Sequence, residues 1–474
     1  MGISNFRKRL AAGGLAVVMG AVAPVAASAE TLADALVSAY NNSGLLNQYR
    51  AVLRAADEDV AAAVADLRPV IGWTADMTYS RTRSRSSSLF GTSTSTNDGT
   101  SVTVGLGMEW LLWDGGKTKL SVEAQKEAVL STRAALVGVE QNVLIQAVDA
   151  YMSVRSASET VALRENNVRV ITEELRAAKD RFDVGEVTRT DVAQAEARLA
   201  AARSSYAQAQ GDLVTAREYF KAAVGRNPGA LTPPPMVPAT AKTMSEAKAI
   251  AVRNHPDIAQ AQHEVSATEL GVRIAAASAG PSVSLSSSLG MVENFDSTHF
   301  AKTGSVGIDV SGPIYSGGKI SALYRKAIAN RDAARSNLLV TTQNAEREVG
   351  TAFSNMRVTG AARAAFEQQV RAATVAFRGV REEATLGART TLDVLNAEQE
   401  LLDAQASLIA ARNNEYVAAY ALLQAMGLLT TEHLKLNVQR YDPVAYYNQV
   451  KRAPAANSPQ GRKLDRVLQG LGKK

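Results

Sequence analysis

The chain contains no cysteine and only four histidines in 474 residues. The absence of cysteine excludes disulfide bonds, a catalytic thiol and thiolate metal sites, and it leaves no residue that could accept a lipid behind a leader. The histidines are His255, His263, His299 and His433. They are scattered, and none has a second histidine at the four-residue spacing of a helical metal site. His255 and His263, eight residues apart, leave a metal enzyme as an alternative, but we expect no enzyme activity, no cofactor and no bound metal.

The chain also lacks a concentrated charge of one sign outside its ends. Its formal net charge is +6, but residues 451–474 hold seven Lys and Arg against the single Asp465, and Arg7, Lys8 and Arg9 lie near the start. The body between these ends is nearly neutral. A nucleic-acid-binding protein needs a basic face, so we expect no nucleic-acid partner.

No apolar run beyond the first 29 residues is long enough for a membrane-spanning helix. Residues 1–29 have a basic start, an apolar run and the small-residue sequence Ala-Ser-Ala at residues 27–29, which is typical of a secretory signal peptide. An uncleaved anchor helix is the alternative, but glycine and proline interrupt the run. We expect cleavage after Ala29 and an exported protein that is not a lipoprotein.

An internal repeat organises the remainder. At an offset of 202 residues, Gly185 matches Gly387, Asp191 matches Asp393, and the sequence WDGGK at 113–117 matches YSGGK at 315–319. From the start of the repeat to Pro69 the offset is 212 residues, because the first copy is ten residues longer between Pro69 and Trp113. The extra residues belong to a Ser/Thr/Gly-rich stretch, residues 84–100, which is expected to form a loop. The predicted segments are a first repeat (30–225), a Pro-rich linker (226–242), a second repeat (243–427) and a C-terminal tail (428–474).

Each copy contains two stretches in which apolar and polar residues alternate strictly. Residues 71–79, for example, place Ile71, Trp73, Met77 and Tyr79 on one face and Gly, Thr and Asp on the other. This period predicts strands with one apolar face. They are expected at about 69–84, 100–113, 281–294 and 304–315. A soluble half-buried sheet is one interpretation, and their length and terminal tryptophans favour membrane-barrel strands.

Long helical segments follow the strands. Residues 117–182 and 319–385 contain no proline and show apolar residues at three- and four-residue steps. A helix of about 66 residues is on the order of 100 Å long, which suits coiled-coil packing better than a globular core. Return helices are predicted at about 190–224 and 390–426, and shorter helical stretches at about 31–66 and 243–278.

Four strands cannot close a membrane barrel, and an open edge in lipid is prohibitively costly. Strands shared by three chains give twelve, which is enough for an open lumen. We therefore predict a mainly α fold with β-structure: tandem-duplicated long helical hairpins and four strands per chain, which form a trimeric 12-stranded outer-membrane β-barrel continued by a periplasmic α-helical barrel.

The duplicated plan, the W/Y-x-G-G-K strand exit and the VG…T-DV…A turn resemble the TolC family of outer-membrane channels over about residues 30–445. Family members usually have a proline before the strand exit; Pro313 supplies it in the second copy, but Leu111 stands there in the first. The resemblance implies a homotrimer in the outer membrane of a Gram-negative bacterium, in contact with its lipid and with most of its mass in the periplasm. It also implies a duct that works with a periplasmic adaptor and an inner-membrane pump.

The resemblance identifies three groups of candidate residues. Gly185 and Gly387 suit the left-handed conformation that ends a helix, and Thr190 or Asp191 can support the first turn of the returning helix. The helical tips expected to contact the adaptor are Val184, Gly185, Thr188, Arg189, Leu386, Gly387 and Thr390. The junctions between barrel and helices are Trp113, Gly115, Gly116, Tyr315, Gly317 and Gly318. The periplasmic gate is Thr190, Asp191, Arg389, Asp393 and Asn396.

The resemblance implies how the gate closes. By analogy with the family, Arg389 would bond to Thr190 and Asp191, whereas Ala384 replaces a tyrosine that makes a further link. Asp393 matches a carboxylate at the narrowest point, and Asn396 replaces a second. A trimer would therefore carry three carboxylates there instead of six, which makes a weaker cation filter.

The cargo is a separate question. The absence of a lipid-accepting cysteine and the tail at 428–451, which looks like that of secretion members, favour type I protein secretion with an ABC-type transporter. Multidrug or small-molecule efflux is the alternative within this class. A periplasmic coiled-coil adaptor is the alternative of another class, but the paired amphipathic strands disfavour it.

Overall fold

The computed structural model describes residues 30–234, 237–238, 240–295 and 300–472, apart from the side chains of residues 471–472. The predicted signal peptide, residues 1–29, and His299 lie outside the described residues. The helices are α1 (Leu32–Asn42), α2 (Gly44–Ala65), α3 (Lys117–Asp183), α4 (Arg189–Val224), α5 (Met244–Asn254), α6 (Pro256–Ala277), α7 (Lys319–Thr385), α8 (Thr391–Ala425), α9 (Pro443–Val450) and α10 (Pro459–Gly472). The strands are β1 (Val70–Ser88), β2 (Gly91–Trp113), β3 (Ser282–Asn294) and β4 (Phe300–Ser311).

The four strands form one antiparallel sheet in the order β1-β2-β3-β4. Trp73 pairs with Leu106, and Leu106 pairs with Leu289, so that apolar residues form rows across the sheet. This apolar face is open: Trp73 is 74% and Leu289 62% exposed. In the described part of the chain, β1 and β4 each lack a partner on their outer edge. A single chain therefore presents both an uncovered apolar face and two unpaired strand edges.

The prediction of a loop at residues 84–100 is wrong. The strands continue through this region to a turn at Leu89 and Phe90, and Ser88 pairs with Gly91. Because β3 pairs with β2 only from Ser101 onward, the ten extra residues lengthen a two-stranded ribbon instead of a loop. The physical reason is that threonines at alternate positions favour extended backbone even when both faces of the ribbon are polar.

The strand predicted at about 304–315 is also displaced. It begins at Phe300 and ends at Ser311, before the Gly312-Pro313 pair. Proline has no amide hydrogen to donate to a strand ladder, so Pro313 ends the pairing. Tyr315 consequently lies in the connection to α7, whereas its counterpart Trp113 is the last residue of β2.

The helices leave the sheet as two long hairpins. α3 and α7 each contain 67 residues, which corresponds to a length on the order of 100 Å. α3 packs against α2, α4, α6 and α8, and α7 packs against α5, α6 and α8. None of the helices in the described part combines the length and apolar character that a membrane-crossing helix needs.

The main core lies at mid-length of the hairpins. Tyr151 of α3, Phe220 of α4 and Leu423 of α8 are buried there. The Tyr151 hydroxyl donates a hydrogen bond to the carbonyl oxygen of Thr232 at 2.7 Å, which fixes the Pro-rich linker against α3. The amide of Thr232 in turn donates to the carbonyl oxygen of Glu30 at 3.0 Å. The linker and the start of the described chain therefore meet on one side of this core.

The C-terminal tail is folded against α2. The hydroxyl of Tyr446 in α9 donates to the Glu58 carboxylate at 2.5 Å, and Tyr446, Val450 and Leu464 pack with Ala61. The tail therefore runs along the part of α2 that leads into β1.

Candidate functional site at the helical tips

The two helix-to-helix turns farthest from the sheet have the same backbone. Gly185 has φ 83° and Gly387 has φ 77°, a left-handed conformation that glycine adopts without steric cost. The amide of Glu186 donates to the carbonyl oxygen of Arg181 at 2.9 Å, and the amide of Ala388 donates to that of Glu383 at 2.9 Å. Such bonds close a helix end. The predicted left-handed glycines are confirmed.

Each returning helix starts with a capping box. Thr188 is the N-cap of α4: its hydroxyl accepts from the Asp191 amide at 3.3 Å, and the Asp191 carboxylate accepts from the Thr188 amide at 2.9 Å. Thr390 and Asp393 repeat these bonds at 3.2 and 3.0 Å at the start of α8. The N-cap is therefore Thr188. Of the two residues expected to support this turn, Asp191 does so as the capping-box partner three residues after Thr188, and Thr190 is not part of the capping box.

The capping bonds also set the charge of these carboxyl groups. Hydrogen bonds from the Thr188 side chain and backbone lower the pKa of Asp191. Hydrogen bonds from the Thr390 backbone and side chain lower the pKa of Asp393 in the same way. Both residues are thus held as carboxylates at the tips, close to the positive ends of the α4 and α8 dipoles.

Arg389 has a different partner from the one implied by the resemblance. Its Nε donates to the Glu383 carboxylate at 2.9 Å, and this bond raises the pKa of Arg389. Within the described part of a single chain, Arg389 forms no hydrogen bond with Thr190 or Asp191. The reason is local: the turn brings Glu383 beside Arg389, while the Asp191 carboxylate is engaged by Thr188.

The two turns nevertheless face one another. Asp191 and Arg389 both line a cavity of about 740 Å³ between them. Asn396 lies farther along α8, where its carboxamide oxygen accepts a hydrogen bond from Arg198 of α4 at 3.1 Å. The structure thus brings Asp191, Arg389 and Asp393 to one opening and places Asn396 against the neighbouring helix. The gate role of these residues remains a prediction.

Two apolar side chains project from the tips. Val184 is 70% exposed and Leu386 is 85% exposed, and they occupy equivalent positions in the two repeats. Thr188, Arg189 and Thr390 are exposed beside them. An exposed apolar residue beside polar neighbours is suited to a protein contact, so the tips present two similar candidate surfaces.

A buried layer of polar residues lies between the helical tips and the main core, and the sequence analysis did not predict it. Asn167 of α3 donates a hydrogen bond to the Glu398 carboxylate of α8, and Arg381 of α7 forms an ion pair with Glu174 of α3 at 3.1 Å. Burial raises the pKa of Glu398, although the hydrogen bond from Asn167 opposes this effect. Glu398 occupies the position in the second repeat that Glu196 occupies in the first, and this recurrence was a signal for a functional residue. The spacing of residues in the sequence does not reveal that Asn167 is the partner of Glu398.

The opposite ends of the long helices begin with paired glycines. Gly115 and Gly116 have φ 68° and 83°, and Gly317 and Gly318 have φ 61° and 83°. In the first junction the Asp114 carboxylate accepts hydrogen bonds from the amides of Gly116 (3.0 Å) and Thr118 (2.7 Å). In the second, Ser316 replaces this aspartate and α7 has no side-chain cap. The flanking aromatics Trp113 and Tyr315 are exposed.

His255 and His263 have structural contacts. His255 is the N-cap of α6, and its Nδ1 accepts from the Asp257 amide at 3.2 Å. His263 Nδ1 lies 2.8 Å from the Glu127 carboxylate. No cluster of three or more potential metal ligands is found within the described ranges.

Comparison with known proteins places this geometry in a family. The profile of the family described as "Outer membrane efflux protein" matches residues 35–226 and 249–428. The outer membrane efflux protein BepC of Brucella suis biovar 1 (strain 1330) is 37% identical over 92% of this chain and 94% of its own length. The proteases secretion protein PrtF of Dickeya chrysanthemi is 26% identical over 81% of this chain and 85% of its own.

The fold is also that of a solved channel. A crystal structure of CusC, a protein that forms a transmembrane channel, superimposes on this chain with a TM-score of 0.73 at 20% identity. The match covers 84% of this chain and 92% of the CusC chain. At this identity the similarity establishes the fold, which is mostly helical with four strands in each chain.

Proposed function

This chain belongs to the outer membrane efflux protein family, the TolC family of outer-membrane channels, and we propose that it is the exit duct of an envelope-spanning machine for type I protein secretion. Its place is the outer membrane of a Gram-negative bacterium, with the long helices in the periplasm. The family and the solved neighbours are channel proteins and not enzymes.

One observation carries the proposed duct: a four-stranded sheet with an exposed apolar face and two unpaired edges continues directly into two 67-residue helices. Lipid accounts for the exposed face, since Trp73 and Leu289 would otherwise be in water. Pairing of β4 with β1 of another chain accounts for the edges. Three chains then give a 12-stranded barrel above a helical cylinder, and the assembly is a homotrimer.

The partners follow from the orientation of the hairpins. With the sheet in the outer membrane, Val184 and Leu386 lie at the periplasmic end, toward the inner membrane. These exposed tips are where a periplasmic adaptor would dock and recruit an inner-membrane transporter, which we expect to be of the ABC type. The candidate gate residues Asp191, Arg389 and Asp393 line the cavity between these tips.

Three features support a protein cargo. PrtF, whose name states that it secretes proteases, aligns with most of this chain. The chain has no cysteine that could carry a lipid, and its C-terminal tail forms α9 and α10 on the surface of α2. The second candidate is small-molecule efflux, which is favoured by the name of the efflux protein BepC.

Deletion of the gene distinguishes protein secretion from small-molecule efflux. Secreted proteins and drug susceptibility are compared in the deletion strain, in the complemented strain and in the parent. Type I secretion predicts the loss of one or more extracellular proteins with unchanged drug susceptibility. Increased drug susceptibility with an unchanged set of secreted proteins would favour efflux and contradict the secretion proposal.

A further inference from the structure

A cavity lined by basic side chains lies within the C-terminal tail, where the tail meets Arg68 of the connection between α2 and β1. Its volume is about 1050 Å³. The lining contains five cationic side chains, from Arg68, Lys451, Arg452, Lys463 and Arg466, and no aspartate or glutamate. Lys463 and Arg466 form no salt bridge with any carboxylate of the described residues. A cavity with this charge is complementary to an anion.

The cavity has a fixed wall. Arg68 donates from Nη1 to the carbonyl oxygen of Ala453 at 2.7 Å and from Nη2 to that of Arg452, so it ties the tail to the end of α2. Leu464 of α10 is 9% exposed and packs with Tyr446 and Val450. Lys463 and Arg466 are therefore held on a helix that is anchored by its apolar side.

The position of the cavity relates it to the membrane. Arg68 stands two residues before Val70, where β1 begins, and the exposed apolar band starts at Ile71 (72%) and Trp73 (74%). The indole Nε1 of Trp110 donates to the carbonyl oxygen of Leu67 at 3.1 Å, beside Arg68. Tryptophan is enriched where a membrane barrel meets the lipid headgroups. The cavity therefore lies at the level of the headgroups on the periplasmic side.

The helix that lines the cavity also presents apolar side chains. Val467 and Leu468 of α10 are 42% and 40% exposed, next to Lys463 and Arg466. A helix that carries cations beside exposed apolar residues is suited to the boundary between headgroups and acyl chains. A free inorganic anion would use the cations alone, whereas a phospholipid would use both groups.

We propose that this cavity binds the phosphate headgroup of an anionic phospholipid in the periplasmic leaflet of the outer membrane. The proposal rests on the placement of the sheet in that membrane under the proposed function. Lys463, Arg466 and Lys451 neutralise the headgroup, Arg68 holds the cavity open, and Val467 and Leu468 contact the acyl region. The lipid thereby fixes the C-terminal tail to the membrane beside the barrel.

Native mass spectrometry of the purified full-length assembly in mild detergent tests this site, with phosphatidylglycerol, phosphatidylcholine and inorganic phosphate as separate probes. The wild type should retain phosphatidylglycerol in preference to phosphatidylcholine. Lys463→Gln/Arg466→Gln should weaken phosphatidylglycerol binding by about tenfold or more, since each cation near an anionic headgroup contributes to binding. Arg440→Gln/Arg462→Gln removes the same charge from exposed tail residues outside the cavity and should bind as the wild type does.

Three results would overturn the lipid site: equal retention of the two lipids by the wild type, unchanged phosphatidylglycerol binding in the Lys463→Gln/Arg466→Gln variant, or occupation of the site by inorganic phosphate with no effect of lipid. If a second copy of the chain covered the cavity, the wild type would retain the two lipids equally. Planar-bilayer conductance of the same preparations is the separate readout of the duct. A non-conducting wild type would refute the duct, whereas a conducting wild type without lipid preference would refute only the lipid site.

Discussion

The guanidinium Nε of Arg389 lies 2.9 Å from the carboxylate of Glu383, six residues earlier in the same hairpin. Within one chain, Glu383 therefore binds the guanidinium of Arg389. By resemblance to the family, the same guanidinium would close the periplasmic mouth by binding Asp191. In the gate hypothesis, Arg389 exchanges this partner for Asp191 when the chains assemble. Both residues line the same cavity, and we expect the exchange to involve a change of side-chain conformation at Arg389.

Arg389→Ser should raise single-channel conductance in planar bilayers several-fold, because it removes a donor that can bind a carboxylate in fixed geometry. Asp191→Asn should act in the same direction, and the double variant should add little, because both changes break one link. Arg189→Ser is the matched control, since it removes an exposed arginine at the first turn and should leave conductance unchanged.

Glu383→Gln separates the two partners of Arg389. If Asp191 closes the mouth, release of Arg389 from Glu383 should leave conductance at or below the wild-type level. A rise in Glu383→Gln that equals the rise in Arg389→Ser would show that the bond within one chain closes the mouth, and the gate assignment of Asp191 would be wrong.

The capping box of α4 should control the local stability of the first tip. Thr188→Ala should cost about 1 kcal/mol, because it leaves the first amides of α4 without their side-chain acceptor. Hydrogen exchange of the amides near Asp191 should become faster in this variant and remain unchanged at the second tip. Thr188→Ser retains the acceptor and should exchange like the wild type; equal acceleration in both variants would exclude the cap as the cause.

A buried carboxyl group makes stability depend on pH. The side chain of Asp57 is fully buried, and burial raises its pKa to about 6 despite Arg133 at 3.9 Å. Because the folded pKa is higher than the unfolded value, the stabilising contribution is complete below the unfolded pKa and is lost as pH rises through about 6. Asp57→Asn should therefore stabilise the protein by about 1–3 kcal/mol at pH 8 and have little effect near pH 4.

The urea midpoint of the helical circular dichroism signal, measured at the two pH values, checks this effect. Asp59→Asn on the exposed side of the same helix is the matched control and should change neither midpoint. Destabilisation by Asp57→Asn at pH 8 would show that the pair with Arg133 outweighs the burial of the charge.

The polar ribbon of β1 and β2 should project from the cell surface. An epitope inserted after Thr94, which pairs with Arg85 near the tip, should be reached by antibody on intact cells. An insertion after Glu186, in the first helical tip, should be reached only after the outer membrane is broken. The opposite pattern would invert the proposed orientation.

The strands and long helices could be predicted because their periods differ. Strict alternation around Trp73 and Leu106 specifies a sheet with one apolar face, and three- and four-residue spacing specifies the helices. The ribbon at residues 84–100 could not be distinguished from a loop, because its serines and threonines are polar on both faces. Pro313 carried the signal for the end of β4, because proline has no amide hydrogen to donate to the strand ladder.

The candidate site was only partly predictable. Gly185 and Gly387 identify the turns because few other residues adopt a left-handed conformation there. Side-chain partners could not be derived, since the pairing of Arg389 with Glu383 depends on how the turn folds back. The contacts of Asn167 with Glu398 and of the tail with α2 join residues that are far apart in sequence, so no local pattern reports them.

The protein mass of the folded complex in mild detergent, determined by light scattering together with its circular dichroism spectrum, tests the shared barrel most directly. The account predicts the mass of three chains with an intact strand signal, because one chain has four strands and two open edges. The mass of a single chain with the same strand signal would contradict it.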